Sequence, residues 1–167
     1  MKGDQPLLGC NTIPQGKIQN LIKLIDSNHL PESYVGISHT RWATHGKPSH
    51  VNAHPHSDCS QKILVVHNGI IENYQQLKEQ LKKKNHRFVS DTDTEIVAHL
   101  IEDNYKGDFF SAVKTALNKL EGSFALGIIN SDYPDCLIAA RVGSPLIIGV
   151  GKNENFIASD VPSILSH

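Results

Sequence analysis

Residues 124–129 read F-A-L-G-I-I, and three similar runs follow: C-L-I-A-A-R-V at 136–142, P-L-I-I-G-V at 145–150 and F-I-A-S at 156–159. Each is short and rich in β-branched or small apolar residues. Each is bounded by turn formers, namely Asp132-Tyr133-Pro134-Asp135, Gly143-Ser144 and Gly151-Lys152-Asn153, so a strand meander is predicted. Working back along the chain, the period changes. Positions 109–120 repeat apolar residues at helical spacing through Ala112, Val113, Ala116 and Leu117. Positions 94–103 do so through Ile96, Val97, Leu100 and Ile101, and the stretch after Asn73 through Leu77 and Leu81. Lys82, Lys83 and Lys84 suit the negative end of that last helix. Further back, 62–67 (K-I-L-V-V-H) and 34–42, with Val35 and Ile37 alternating, read as strands, and Ile18, Leu21, Ile22, Leu24 and Ile25 predict a first helix over 17–27. Helices grouped between two sets of strands predict an α+β domain with mainly antiparallel pairing, because a parallel sheet needs regular strand–helix alternation.

The chain has 167 residues, which suits a single domain with one core. With 39% apolar residues, 20% charged residues and a formal net charge of −1, neither disorder nor a basic nucleic-acid-binding face is expected. The substrate expected is a small molecule. No apolar run approaches the ~20 residues that span a bilayer, and the polar start lacks the apolar segment of a secretory signal. A cytoplasmic protein with no membrane association is the expectation. Cys10, Cys59 and Cys136 are odd in number and unpatterned in spacing, which favours reduced thiols over a disulfide scaffold.

Four polar blocks interrupt this framework: H-T-R-W-A-T-H-G at 39–46, V-N-A-H-P-H at 51–56, H-N-G-I-I-E-N at 67–73 and S-D-T-D-T-E at 90–95. Arg41, at a strand end beside Ala43 and Thr44, offers a planar fork for a carboxylate, or a plain surface ion pair. Asn68-Gly69 alone reads as a hairpin turn. Asp91 and Asp93 alone read as helix-capping or first-turn acids. Trp42, the single tryptophan, alone reads as a core or interface residue. His39, His45, His50, His54, His56 and His67, with Cys59 close by, raise zinc as a rival function. Yet His54-Pro55-His56 lacks helical i, i+4 spacing, and neither C-x-x-C nor H-E-x-x-H occurs. Hydrogen-bonded histidines around a polar pocket are expected, with no metal and no cofactor.

Taken together, the blocks resemble the glutamine site of the class II, N-terminal-nucleophile glutamine amidotransferases. Among these they are most similar to the glutaminase domains of the glutamine–fructose-6-phosphate aminotransferases (isomerising), the glucosamine-6-phosphate synthases. G-S-P-L at 143–146 and A-S-D at 158–160 extend the likeness over most of 17–160, as scaffold and turns. The resemblance implies the four-layer αββα sandwich of that superfamily, here with N-terminal strands missing. It implies that Arg41 holds the α-carboxylate of glutamine and Asp93 its α-ammonium, with Asp91 the neighbour most easily mistaken for it. The Asn68 side-chain amide and the Gly69 N–H would form the oxyanion hole. Thr44 and His45 would line the pocket, Trp42 would seal it and gate the route of ammonia, and His54 would lie near the start of the chain. Glutamine would yield glutamate and ammonia, and the ammonia would pass to a sugar-phosphate isomerase domain that is absent from this chain. An amidophosphoribosyltransferase-like enzyme is the alternative, since it shares the asparagine–glycine hole and the aspartate. The blocks T-R-W-A-T-H-G and N-A-H-P-H favour the hexose-phosphate branch.

The family's nucleophile is a first-residue cysteine followed by glycine at the start of a buried strand, whereas this sequence opens Met-Lys-Gly-Asp-Gln. Cys10 is followed by Asn11-Thr12 and lies too near the next block to replace it. The chain as written is therefore expected to be inactive. A shortened reading frame, a leading segment outside this sequence and a silent glutamine-binding remnant all remain open, with truncation at both ends favoured. Missing edge strands would expose backbone and apolar surface, so association into homo-oligomers through that edge is expected.

Overall fold

In the computed structural model the described residues are 22–23, 26–27, 33–41 and 46–165. Positions 22–23 and 26–27 are helical; the rest of the helix expected over 17–27, together with Cys10, Trp42, Thr44 and His45, lies outside them.

The β-branched run at 62–67 seeds the central strand, β2 (Ile63–Ile71), which is flanked by β1 (His56–Ser57) and β3 (Gly122–Asn130). β4 (Leu137–Val142) completes an antiparallel sheet of order β1-β2-β3-β4. β2 is longer than its apolar run because β3 pairs with it over all nine positions, from Ile63 opposite Asn130 to Ile71 opposite Gly122. Asn68 and Gly69 therefore lie inside a ladder, opposite Ala125 and Phe124, and make no hairpin turn. Gly69 has φ +123°, and a Cβ there would run into the Ser123 carbonyl oxygen, so only glycine fits this close strand approach.

Alternation along β2 and β3 gives the sheet two faces. Ile63, Val65 and Ile71, with Phe124, Leu126 and Ile128, join the core formed with three helices. These are α1 (Tyr74–Lys83), burying Leu77 and Leu81; α2 (Glu95–Asn104), burying Ile96, Val97, Leu100 and Ile101; and α3 (Phe109–Leu117), burying Phe109, Ala112, Val113 and Ala116. Each fully buried Leu, Ile, Val or Phe contributes roughly 1.5–3 kcal/mol. α2, buried along most of its length, packs against both β2 and α3. Asp108 caps α3 by accepting the Ser111 N–H at 3.1 Å. Asn73 holds the N-cap position of α1 without capping it. Its side chain donates to the Lys119 carbonyl at 2.8 Å and accepts the Glu121 N–H at 3.1 Å, tying the start of α1 to the α3–β3 connection.

On the opposite face lies a second antiparallel sheet of β5 (Ile147–Val150) and β6 (Asn155–Ala158). A Cβ on Gly127 would sit 3.0 Å from both Ile157 Cδ1 and Val66 Cγ2, so the small residue lets the two sheets approach. The layers run helices, sheet, sheet, an α+β arrangement with antiparallel pairing as expected.

Two expectations change in detail. The meander divides, because Gly143-Ser144-Pro145 turns the chain out of the first sheet after β4 and into the second. Residues 35–41 form no strand among the described residues. A segment becomes a strand only when a partner offers a ladder, and this one instead reaches β2 through a side chain, His39. No helix of the described residues is long and apolar enough to cross a membrane.

Candidate active site

On the inter-sheet side of β2, Asn68 Oδ1 lies 2.7 Å from His39 Nε2. A carbonyl oxygen can only accept, so Nε2 carries the proton and the neutral ring fixes the amide orientation. Burial is the main cause that lowers His39 below the ordinary histidine value, against the raising effect of the Asn68 hydrogen bond, and the Arg41 charge lowers it further. With Oδ1 engaged, Asn68 is left with its Nδ2 donors. Residues 36–39, 66–68, 125–127 and 157–159 line a half-open pocket of about 180 Å³ between the two sheets, with His39 and Asn68 in its lining.

From His39 a chain of histidines runs toward the start of α2. His39 stacks on His54 with ring centroids 4.4 Å apart. His54 Nδ1 accepts the His67 backbone N–H at 3.3 Å, which puts the His54 proton on Nε2, facing Thr94 Oγ1 at 3.3 Å. Thr94 in turn hands its hydroxyl proton to His67 Nδ1 at 2.9 Å. A second chain runs from His56 Nε2 to Thr92 Oγ1 (2.9 Å), on to Ser90 Oγ (3.0 Å) and to Glu95 Oε2 (2.6 Å). Burial, then the neighbouring His39, His56, His67 and Arg41, push His54 down to about 2. Burial likewise pushes His56 down to about 4, although Glu95 and Asp93 pull upward. Burial works to raise Glu95, but the facing His99 and hydrogen bonds from Ser90 and the Val89 N–H outweigh it and hold the carboxyl at about 2.

Asp93 and Asp91 separate clearly. Asp93 is buried; its Oδ2 accepts the Ile71 N–H at 2.9 Å and lies 4.0 Å from His67 Nδ1. Asp91 is exposed and bonded to Asn52, whose Oδ1 accepts the Asp91 N–H at 2.9 Å and whose Nδ2 lies 3.4 Å from Asp91 Oδ2. Neither acid caps α2: the N-cap position is Thr94, whose hydroxyl serves the histidines. Asn52 also donates to the Lys47 carbonyl at 2.9 Å, so it clasps the 46–52 turn to the 90–93 loop. Arg41 Nη2 donates to the Gly46 carbonyl at 3.1 Å, at that same turn, and its charge is felt at His39, His54 and His56.

Of the residues expected at the site, His54, Asn68, Gly69 and Asp93 thus gather around β2 and the start of α2, and Arg41 lies at the adjoining turn. Trp42, Thr44 and His45 fall outside the described residues. Sequence reasoning assigned no individual role to His39, Asn52, Thr92 or Thr94. All four stand inside the quoted blocks, but each has a partner 29 to 40 positions distant, and no local spacing reveals such pairs. His39, His54, His56 and His67 form hydrogen-bonded pairs with threonine or asparagine, whereas His50 is exposed and His45 lies outside the described residues.

Comparison with known proteins is consistent with this geometry. A family model described as a glutamine amidotransferase domain matches residues 39–166. The glutamine–fructose-6-phosphate aminotransferase (isomerising) of Pyrococcus horikoshii is 54% identical over 154 residues, which is 91% of this chain and 26% of that protein. The enzyme of the same name from Aquifex aeolicus is 52% identical over 153 residues, 92% of this chain and 26% of that protein. The chain thus spans about a quarter of the length of these curated relatives. Among solved structures, glutamine phosphoribosylpyrophosphate amidotransferase from B. subtilis superposes with TM-score 0.61 at 30% identity, covering 72% of this chain and 26% of that one. The structure described as the allosteric regulatory enzyme of purine biosynthesis gives TM-score 0.57 at 28% identity, covering 66% and 24%. The buried aspartate, the oriented asparagine beside its glycine, and a family match over more than half the chain lead to one conclusion: this chain belongs to the glutamine amidotransferase domain family.

Proposed function

We propose that the chain forms a single domain that binds free L-glutamine and presents its side-chain amide for hydrolysis to glutamate and ammonia. The observation that carries this reading is the amide of Asn68. A neutral histidine holds its oxygen, so the NH₂ group is preorganised to donate beside Gly69, which is what a developing oxyanion requires. Asp93 retains a buried carboxylate oxygen for the α-ammonium, and Arg41 supplies the fork for the α-carboxylate. A ligand with one charge of each sign suits a site in which burial keeps His39, His54 and His56 neutral. Trp42, Thr44 and His45 complete the pocket in this reading, and His54 stands where the nucleophile approaches.

The nucleophile is an N-terminal cysteine of the family's kind, not Cys59 or Cys136. Both of these lie toward the Ile63 end of the sheet, since Asp58 donates its N–H to the Ile63 carbonyl and Cys136 precedes the Leu137–Ile129 pair. Five residues of strand, about 16 Å, separate Ile63 from Asn68. In the longer protein, the ammonia released would aminate fructose 6-phosphate in a second, sugar-phosphate isomerase domain. Identities above 50% to enzymes of that name, against 30% to a phosphoribosylpyrophosphate amidotransferase, favour this acceptor.

Calorimetric titration with L-glutamine tests the binding claim. Arg41→Ala and Asp93→Ala are each expected to cost ~2–5 kcal/mol of affinity, the cost of deleting a desolvated charge partner. Wild-type affinity in both variants would refute the assignment. In the full-length protein, replacing Cys136 by serine is expected to leave glutamate release intact; its abolition would move the nucleophile there.

A further inference from the structure

Away from the glutamine site, four side chains converge that no step above uses. Cys59 sits in the β1–β2 turn, His86 follows α1, and His99 and Glu102 lie one turn apart on α2. One ligand atom from each lies within 4.8 Å of all the others. The separations are specific. Cys59 Sγ is 3.8 Å from His86 Nδ1 and 3.5 Å from His99 Nδ1, and the two Nδ1 atoms are 3.3 Å apart. Glu102 Oε2 is 3.0 Å from His86 Nδ1 and 3.5 Å from His99 Nδ1.

A zinc ion held tetrahedrally by sulfur at ~2.3 Å and by nitrogen or oxygen at ~2.0–2.1 Å sets its ligands about 3.3–3.6 Å apart, longest at sulfur. The five measured edges lie around those values, with the longest again at sulfur. We infer that Cys59, His86, His99 and Glu102 form a closed zinc site, separate from the glutamine pocket.

The surroundings match a metal site beyond the four donors. Histidines that bind zinc present their second nitrogen to a carboxylate, which fixes the ring and raises its basicity. His99 Nε2 faces Glu95 Oε1 at 3.6 Å, and His86 Nε2 faces Asp103 Oδ1 at 3.8 Å. The Arg87 N–H points at Cys59 Sγ, 3.5 Å away, the kind of bond that stabilises a thiolate. The Cys59 N–H donates to Glu102 Oε2 at 3.2 Å. One thiolate, one carboxylate and Zn²⁺ sum to zero charge, so the cluster is neutral where it is partly buried. On binding, the Cys59 thiol loses its proton to solvent. Sulfur, two imidazoles and one carboxylate at tetrahedral spacing favour zinc over magnesium or calcium, which prefer six or more oxygens. With four protein donors there is no open position for a reacting water, so the role is structural. The ion would clamp the β1–β2 turn and the segment after α1 onto α2. Through Glu95, which accepts the Val89 and Ser90 N–H groups, it would brace the loop that carries Asp93.

The test is elemental analysis and native mass spectrometry of the chain purified without chelator, repeated on Cys59→Ser/His86→Gln. Both substitutions lie outside the apolar core, so folding is checked by circular dichroism. One zinc per wild-type chain is expected, with at least a 100-fold weaker affinity in the double variant. Co²⁺ loaded in place of zinc should give tetrahedral ligand-field absorption with a thiolate charge-transfer band, which the variant loses. Added zinc should raise Tm in the wild type alone. Sub-stoichiometric zinc in the wild type, octahedral cobalt, or equal zinc content in the two folded proteins would each overturn the proposal.

Discussion

At the scale of single residues, the proposed site depends on which atom of a polar side chain is left over once the fold has used the rest. His39 consumes the carbonyl oxygen of Asn68, and Ile71 consumes one carboxylate oxygen of Asp93. Replacing His39 by leucine frees the amide to rotate. The expected result in the full-length protein is a fall in kcat of at least severalfold, from losing a hydrogen bond worth ~1 kcal/mol, with little change in KM. His39→Gln, which keeps a donor, should recover part of it, and steady-state kinetics on both variants reads the difference. Asp91→Ala and Asp93→Ala form a second test. The exposed Asp91 should change glutamine affinity little, whereas the buried Asp93 should remove most of it; the reverse order would exchange their roles. Gly69→Ala should destabilise the protein by ~2 kcal/mol or more in urea unfolding, because its Cβ meets the Ser123 carbonyl at a positive φ.

At the scale of elements, the site is held by side chains that bridge segments far apart in sequence. Asn52 joins the 46–52 turn to the 90–93 loop through both ends of its amide. Asn52→Ala is expected to cost ~1–3 kcal/mol of stability, from the hydrogen bonds that this buried side chain loses, and to weaken glutamine binding although it does not touch the ligand in this reading. Faster hydrogen exchange at Asp91 and its neighbours would report the loosening. The helices were legible because Leu77, Leu81, Ile96, Leu100, Val113 and Ala116 repeat at the helical period and bury accordingly. The reach of β2 beyond His67 was not legible, since Asn-Gly has local turn chemistry and only the facing β3 overrides it. Asn73 precedes a helix, as the sequence predicts, but its amide serves the α3–β3 connection, with partners 46 and 48 positions away. The Cys59–His86–His99–Glu102 cluster was not legible for the same reason: His86 and His99 are far from Cys59 in sequence and meet it only through the fold.

At the scale of the whole molecule, burying neutral histidines ties folding to pH. His54 and His56 sit at about 2 and about 4 in the fold against an ordinary 6.5. As pH falls through 6.5 the unfolded chain takes up these protons first. Stability is therefore complete above that value and declines from pH 6.5 toward 4 and below. At pH 5.5 each of the two should cost roughly 1 kcal/mol, so the urea midpoint should fall clearly between pH 8 and pH 5.5; a flat profile would mean the rings are solvated. The central claim is that glutamine is held on β2 and the start of α2, and the most direct test is an NMR titration of the labelled chain. L-glutamine should cause saturable shifts at the Asn68 side-chain NH₂ and the Gly69 amide, while glutamine with a blocked α-amine, denied Asp93, should not. Signals that stay in place, or equal shifts with both ligands, would contradict the account.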